Sequence, residues 1–119
     1  MMKSKQVLIV DDDQRMTDTL VDILEAKGYQ AYPANSGEEA LEKAKTDRFH
    51  CVISDIKMPG MNGVELFRAY REIHPDTPII LMTAYAPGDL LTSEVSESVV
   101  AVLRKPFDID MVITFLSAI

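Results

Sequence analysis

The chain has 119 residues, 47% apolar and 26% charged, enough for one domain with a core of its own and no need of covalent staples. Its net charge is −7, from 12 Lys and Arg against 19 Asp and Glu, which argues against a nucleic-acid or anionic-membrane surface because both need clustered positive charge. The single cysteine, Cys51, excludes an internal disulfide framework and a Cys-rich zinc site, and no apolar run approaches the ~20 residues of a membrane span.

The N-terminus leads straight into Val7-Leu8-Ile9-Val10, a run too short for a signal-peptide core, so a cytoplasmic domain is expected. That run is continuous and β-branched, as in a strand buried on both faces. Met16, Leu20, Ile23 and Leu24 then fall on one helical stripe, closed by Lys27-Gly28. A weaker strand is expected near Gln30–Pro33, where polarity and proline suit a sheet edge. Ser36-Gly37-Glu38-Glu39 reads as a capping box opening a helix through about Lys45. Cys51-Val52-Ile53 is the next strand. Asn62-Gly63 introduces a helix with Leu66, Tyr70 and Ile73 on one stripe, ended by Pro75. Ile79–Met82 is a strand. Asp89–Glu97 is a helix rich in Thr and Ser, hence intrinsically weak. Val99–Leu103 is the fifth strand. The last helix runs from about Asp108, with Val112, Phe115, Leu116 and Ile119 inward. Strand and helix alternate five times, which predicts one α/β domain over 1–119 with a doubly wound, five-stranded parallel sheet of order 2-1-3-4-5.

Such sheets bind ligands beyond the carboxyl ends of their strands. The residues there are Asp11-Asp12-Asp13, Ser54-Asp55, Thr83-Ala84 and Arg104-Lys105-Pro106. The fold should gather them into a carboxylate cluster beside one hydroxyl and one ammonium. Clustered carboxylates do not share a small site in the ionised form without a cation, and an all-oxygen set with few carboxylates suits Mg2+. Mg2+, a lysine and a hydroxyl are the groups to place around a transferring phosphoryl group, and a carboxylate among them can be its acceptor.

The set Val10-Asp11-Asp12-Asp13, Asp55-Ile56-Lys57-Met58-Pro59-Gly60-Met61-Asn62-Gly63, Thr83-Ala84 and Lys105-Pro106-Phe107 resembles the receiver domain of two-component response regulators. The spacings of 28 and 22 residues between Asp55, Thr83 and Lys105 fit as well. Lys105-Pro106-Phe107-Asp108-Ile109-Asp110 further resembles receivers of nitrogen-regulation, enhancer-binding activators. The resemblance implies a flavodoxin-like (βα)5 fold and a phosphoacceptor switch, not an enzyme beyond self-phosphorylation and slow autodephosphorylation. It implies that Asp55 accepts a phosphoryl group from a phosphohistidine. Asp12 and Asp55 would ligate Mg2+ by their side chains, Lys57 by its backbone carbonyl and Asp11 through water. Thr83 and Lys105 would meet the phosphoryl oxygens, and the Lys105–Pro106 bond would be cis. The implied partners are a sensor histidine kinase or phosphotransfer protein and a downstream output domain or protein. A second copy could pair through the helix 4–strand 5–helix 5 face; neither nucleic acid nor membrane is expected as a direct partner.

The chain departs from the family at Val102, where most receivers carry Tyr or Phe, and Val102 has no ring to turn inward when Thr83 moves. Relay through a weak fourth helix hinged at Pro87-Gly88 is the expectation instead. Two other functions compete. A pseudo-receiver would use the same fold as a phosphorylation-independent interaction module. A phosphatase of the haloacid-dehalogenase type would need a second aspartate at position 57, where Lys57 stands. Asp13 reads as a helix N-cap, Cys51 as an inert core thiol, and His50 and His74 as surface residues without metal-spaced partners. The motifs G-x-x-x-x-G-K, G-x-G-x-x-G, G-x-S-x-G and H-E-x-x-H do not occur.

Overall fold

A computed structural model describes residues 5–83, 101–104 and 109–119. Five parallel strands, β1 (Gln6–Val10), β2 (Gln30–Ala34), β3 (Cys51–Asp55), β4 (Ile79–Thr83) and β5 (Ala101–Arg104), lie in the order β2-β1-β3-β4-β5. Four helices are described: α1 (Gln14–Ala26), α2 (Gly37–Thr46), α3 (Gly63–Ile73) and the C-terminal α4 (Ile109–Ser117). The helix expected at Asp89–Glu97, residues 99–100 of the fifth apolar run, and Lys105 to Asp108 lie outside the described residues.

The strands are apolar throughout because both faces are covered. Side chains alternate across a strand, so Leu8 and Val10 join Val52, Phe67, Tyr70 and Leu81 on the α2–α3 side. Val7 and Ile9 join Leu20, Leu24, Ile53, Ile80, Val112 and Leu116 on the α1–α4 side. The odd strand is β2, which pairs only with β1, at Gln6↔Gln30 through Val10↔Ala34, and carries Pro33. Its place at the edge explains both its polarity and the proline.

Helix ends follow the local chemistry. Asp13 caps α1, its carboxylate accepting from Arg15 N–H, and the Lys27 N–H bonds back to Leu24 and Glu25 before Gly28 turns the chain at φ +94°. Ser36 caps α2 by accepting from Glu39 N–H, but the box read there is only half formed. Glu39 Oε2 accepts from Asn35 N–H at 2.9 Å, one residue before the cap. The reciprocal box occurs at α3, between Asn62 and Glu65.

Two inward assignments are corrected. Ile73 closes α3 38% exposed, because it is the last residue of a helix whose buried face is Val64, Leu66, Phe67 and Tyr70. Ile119 is 39% exposed, because α4 ends at Ser117 and Ile119 lies beyond it. Among the described residues no helix is long and apolar enough to cross a membrane.

Candidate functional site

Parallel strands all end at one edge, and the polar residues of the sequence pattern sit there. Val10 closes β1 fully buried, and Asp11 follows at 1% exposure with exposed Asp12 and Asp13 behind it. Asp55 is the last residue of β3, and Thr83 is the last of β4; they are 8% and 4% exposed. Both strands run further than their apolar cores suggested, so each chemistry-bearing residue is fixed by the sheet rather than by a loop. The register pairs Asp55 with Met82, which sets Thr83 one residue further along the adjacent strand.

Carboxylate oxygens of Asp11, Asp12 and Asp55 lie within 4.8 Å of one another. Opposite ligands of a Mg2+ octahedron are about 4.2 Å apart, so the three can face one small ion directly or through water. The donor set is all carboxylate oxygen, which fits a hard divalent cation and not a soft one. Asp11 also braces the turn that follows it. Its Oδ1 accepts the Asp13 N–H at 3.0 Å, and its own N–H donates to Ala34 O at 3.1 Å.

The segment after Asp55 is built by close backbone packing. Ile56 N–H donates to Met82 O at 2.8 Å, carrying the β3–β4 ladder one step past the acidic residue. Ile56 and Met58 are buried, Lys57 between them is exposed, and Gly60 turns at φ +72°. The chain then returns so that Gly63 N–H donates to Ile56 O at 2.7 Å. Gly37, at the start of α2, packs on Met61 of this loop so closely that a Cβ there would stand 2.8 Å from the Met61 sulfur.

The structure thus brings together Asp11, Asp12 and Asp55, sets Thr83 on the neighbouring strand end and leaves Lys57 two residues past Asp55. Lys105 lies outside the described residues, and of Val102 only the β5 backbone is described. Asn35 and Thr17, which bond to the acidic turn, were not singled out by the sequence; neither carries a periodic or motif signal.

The bland residues also find their places. Cys51 is buried, and desolvation pushes its thiol up to about 12. His50 is exposed and ties β1 to the β3 entrance: its Nδ1 accepts from Gln6 N–H at 2.9 Å, and its own N–H donates to Gln6 O at 2.8 Å. His74 is more buried than a surface histidine, its Nε2 donating to Ala44 O at 2.8 Å. It joins α3 to α2 and belongs to no metal-ligating group among the described residues.

Comparison with known proteins adds a family to this geometry. The response regulator receiver domain matches residues 7–117. Sporulation initiation phosphotransferase F of Bacillus subtilis is 33% identical over 109 residues, which cover 92% of this chain and 88% of that protein. The DNA-binding transcriptional regulator NtrC of Klebsiella pneumoniae is 37% identical over 102 residues, 86% of this chain but only 22% of that protein. Among solved structures, the response regulator TrrA from Thermotoga maritima in complex with Mg2+ and BeF superposes with a TM-score of 0.84 at 34% identity. That match covers 96% of this chain and 97% of the other.

Proposed function

The chain belongs to the response regulator receiver domain family, and on that premise we propose that it is a phosphoacceptor switch, a single receiver unit over 1–119, with Asp55 as the acceptor. The observation that carries the reading is the meeting of Asp11, Asp12 and Asp55 within 4.8 Å at the sheet edge where Thr83 also ends its strand.

In the proposed reaction an Asp55 carboxylate oxygen attacks the phosphorus of a phosphohistidine on a partner. The new O–P bond makes an acyl phosphate as the P–N bond breaks, and the imidazole leaves with the electron pair and takes a proton. Asp12, Asp55 and the Lys57 carbonyl would hold Mg2+, with Asp11 acting through water. Bound there, the ion would neutralise charge on the transferring phosphoryl oxygens. Asp55 is positioned for this by its pairing with Met82 in the β3–β4 ladder, which continues through Ile56, so little reorganisation precedes attack. Thr83 Oγ1 and the Lys105 ammonium would then meet the phosphoryl oxygens. Their response is relayed to the face formed by the expected helix 89–97, β5 and α4.

The partners that fit are a sensor histidine kinase or phosphotransfer protein upstream and an output domain or protein downstream. The relatives differ in extent: this chain spans most of the Bacillus phosphotransferase and about a fifth of the Klebsiella transcriptional regulator. The test is incubation with acetyl phosphate and Mg2+, read by intact mass. An adduct of one phosphoryl group that disappears in Asp55→Asn supports the reading. No adduct on folded, Mg2+-loaded protein would favour a phosphorylation-independent interaction module.

A further inference from the structure

One side chain from another loop holds both ends of the turn that carries the acidic pair. Asn35 follows β2, and its backbone N–H leaves the ladder to meet Glu39 Oε2. Its side chain reaches back instead. Nδ2 donates to the Asp11 carbonyl at 3.0 Å and to Thr17 Oγ1 at 3.2 Å. Thr17 uses its own hydroxyl hydrogen on Gln14 O at 3.0 Å. Both partners of Nδ2 are therefore acceptors, both amide hydrogens are matched, and only one orientation of the amide satisfies the set.

Asp11 is the residue at which β1 ends, and Thr17, fully buried, is on the first turns of α1. Between them lie Asp12 and Asp13. Asn35 thus bridges the span that presents two carboxylates to a third. Those carboxylates repel one another whenever no cation lies between them, and a tethered turn cannot relieve the repulsion by swinging outward. A group that fixes ligands from behind lowers the reorganisation that metal binding must otherwise supply.

We propose that Asn35, through Asp11 O and Thr17 Oγ1, is a positioning residue that holds the Asp11–Asp12 turn ready for a divalent cation. The inference rests on the cluster being the metal site of the function proposed above.

The test is Mg2+ titration by calorimetry on the whole chain, together with amide hydrogen exchange in EDTA. Asn35→Ala and Thr17→Val are expected to weaken Mg2+ about tenfold, while Thr17→Ser, which keeps the hydroxyl, stays near wild type. In EDTA, exchange at the Asp13 and Arg15 amides should accelerate in Asn35→Ala with β4 unchanged. Two results overturn the proposal while leaving the metal site standing. In one, both variants bind Mg2+ as tightly as wild type. In the other, Thr17→Ser weakens binding as much as Thr17→Val, with exchange rising throughout the fold. Wild-type chain that takes no Mg2+ would overturn the metal-site reading itself and this inference with it.

Discussion

Gly63 and Asp55 approach so closely that a Cβ on residue 63 would stand 2.4 Å from the Asp55 carbonyl oxygen. The first residue of α3 is thereby seated directly on the backbone of the proposed acceptor, and only hydrogen fits between them.

Gly63→Ala must therefore push α3 away from β3. The expected loss is about 1–3 kcal/mol of stability, as for other overpacked sites, with a several-fold fall in phosphoryl uptake from acetyl phosphate. Gly28→Ala is the matched control. There the obstacle is φ +94° with nothing within 4 Å of the new Cβ, so strain lowers stability by about 1–2 kcal/mol and uptake per folded molecule is unchanged. Urea unfolding and intact-mass phosphorylation measure the two effects separately.

Divalent cation should stabilise the fold by binding the native cluster and not the unfolded chain. At 100 times Kd the gain is about 2.7 kcal/mol. Asp12→Ala should abolish most of it, since Asp12 is an exposed cluster member. Asp11→Ala should also lower stability without metal, because Asp11 Oδ1 holds the Asp13 amide. Melting curves in EDTA and in saturating Mg2+ decide the matter; identical midpoints for wild type would remove the cation from the account.

Alkaline unfolding should carry the mark of two buried acids. Desolvation raises Cys51 from 9.0 to about 12 and Tyr70 from 10.0 to about 12. The Thr77 side chain partly opposes the Tyr70 shift, yet the Tyr70 hydroxyl makes no well-formed hydrogen bond among the described residues. Each group holds its proton more tightly folded than unfolded. The stability it contributes is full below the unfolded value and is lost as pH rises toward 12. Tyr70→Phe should flatten the fall above pH 10, and Cys51→Ala the part beginning near pH 9, in urea midpoints followed across that range. At neutral pH, Tyr70→Phe should stay within about 1 kcal/mol of wild type, since the hydroxyl it removes lacks a good partner.

What could be read from sequence followed from burial on two faces. Runs such as Val7–Val10 and Ile79–Met82 are uniformly apolar because helices cover both sides of the sheet, and the residues just past such runs had to lie at one edge. Asp11, Asp12, Asp55 and Thr83 were legible for that reason. Ile73 and Ile119 were misplaced because a helical stripe says which side faces inward but not how far along the helix that burial extends or where the helix ends. Asn35 and Thr17 were invisible because a polar loop residue and a helical threonine have many unremarkable uses. Only the crossing of β2 beside β1 joins them. The Asn62–Glu65 box was within reach, since it repeats the spacing recognised at Ser36 and Glu39.

The proline in β2 bears on how this molecule meets its own copies. Gln30 N–H donates to Lys5 O and Asp11 N–H donates to Ala34 O, so Gln30, Tyr32 and Ala34 turn their backbone groups toward β1. Ala31 and Pro33 turn theirs to the outer margin, where Pro33 has no hydrogen to offer. The next outward donor, Asn35 N–H, is already taken by Glu39. Along that margin β2 itself presents the single N–H of Ala31. A strand from another molecule would find one donor, the Ala31 N–H, beside the Ala31 and Pro33 carbonyls but no continuous ladder, so the proline weakens the edge-to-edge pairing to which open sheets are prone.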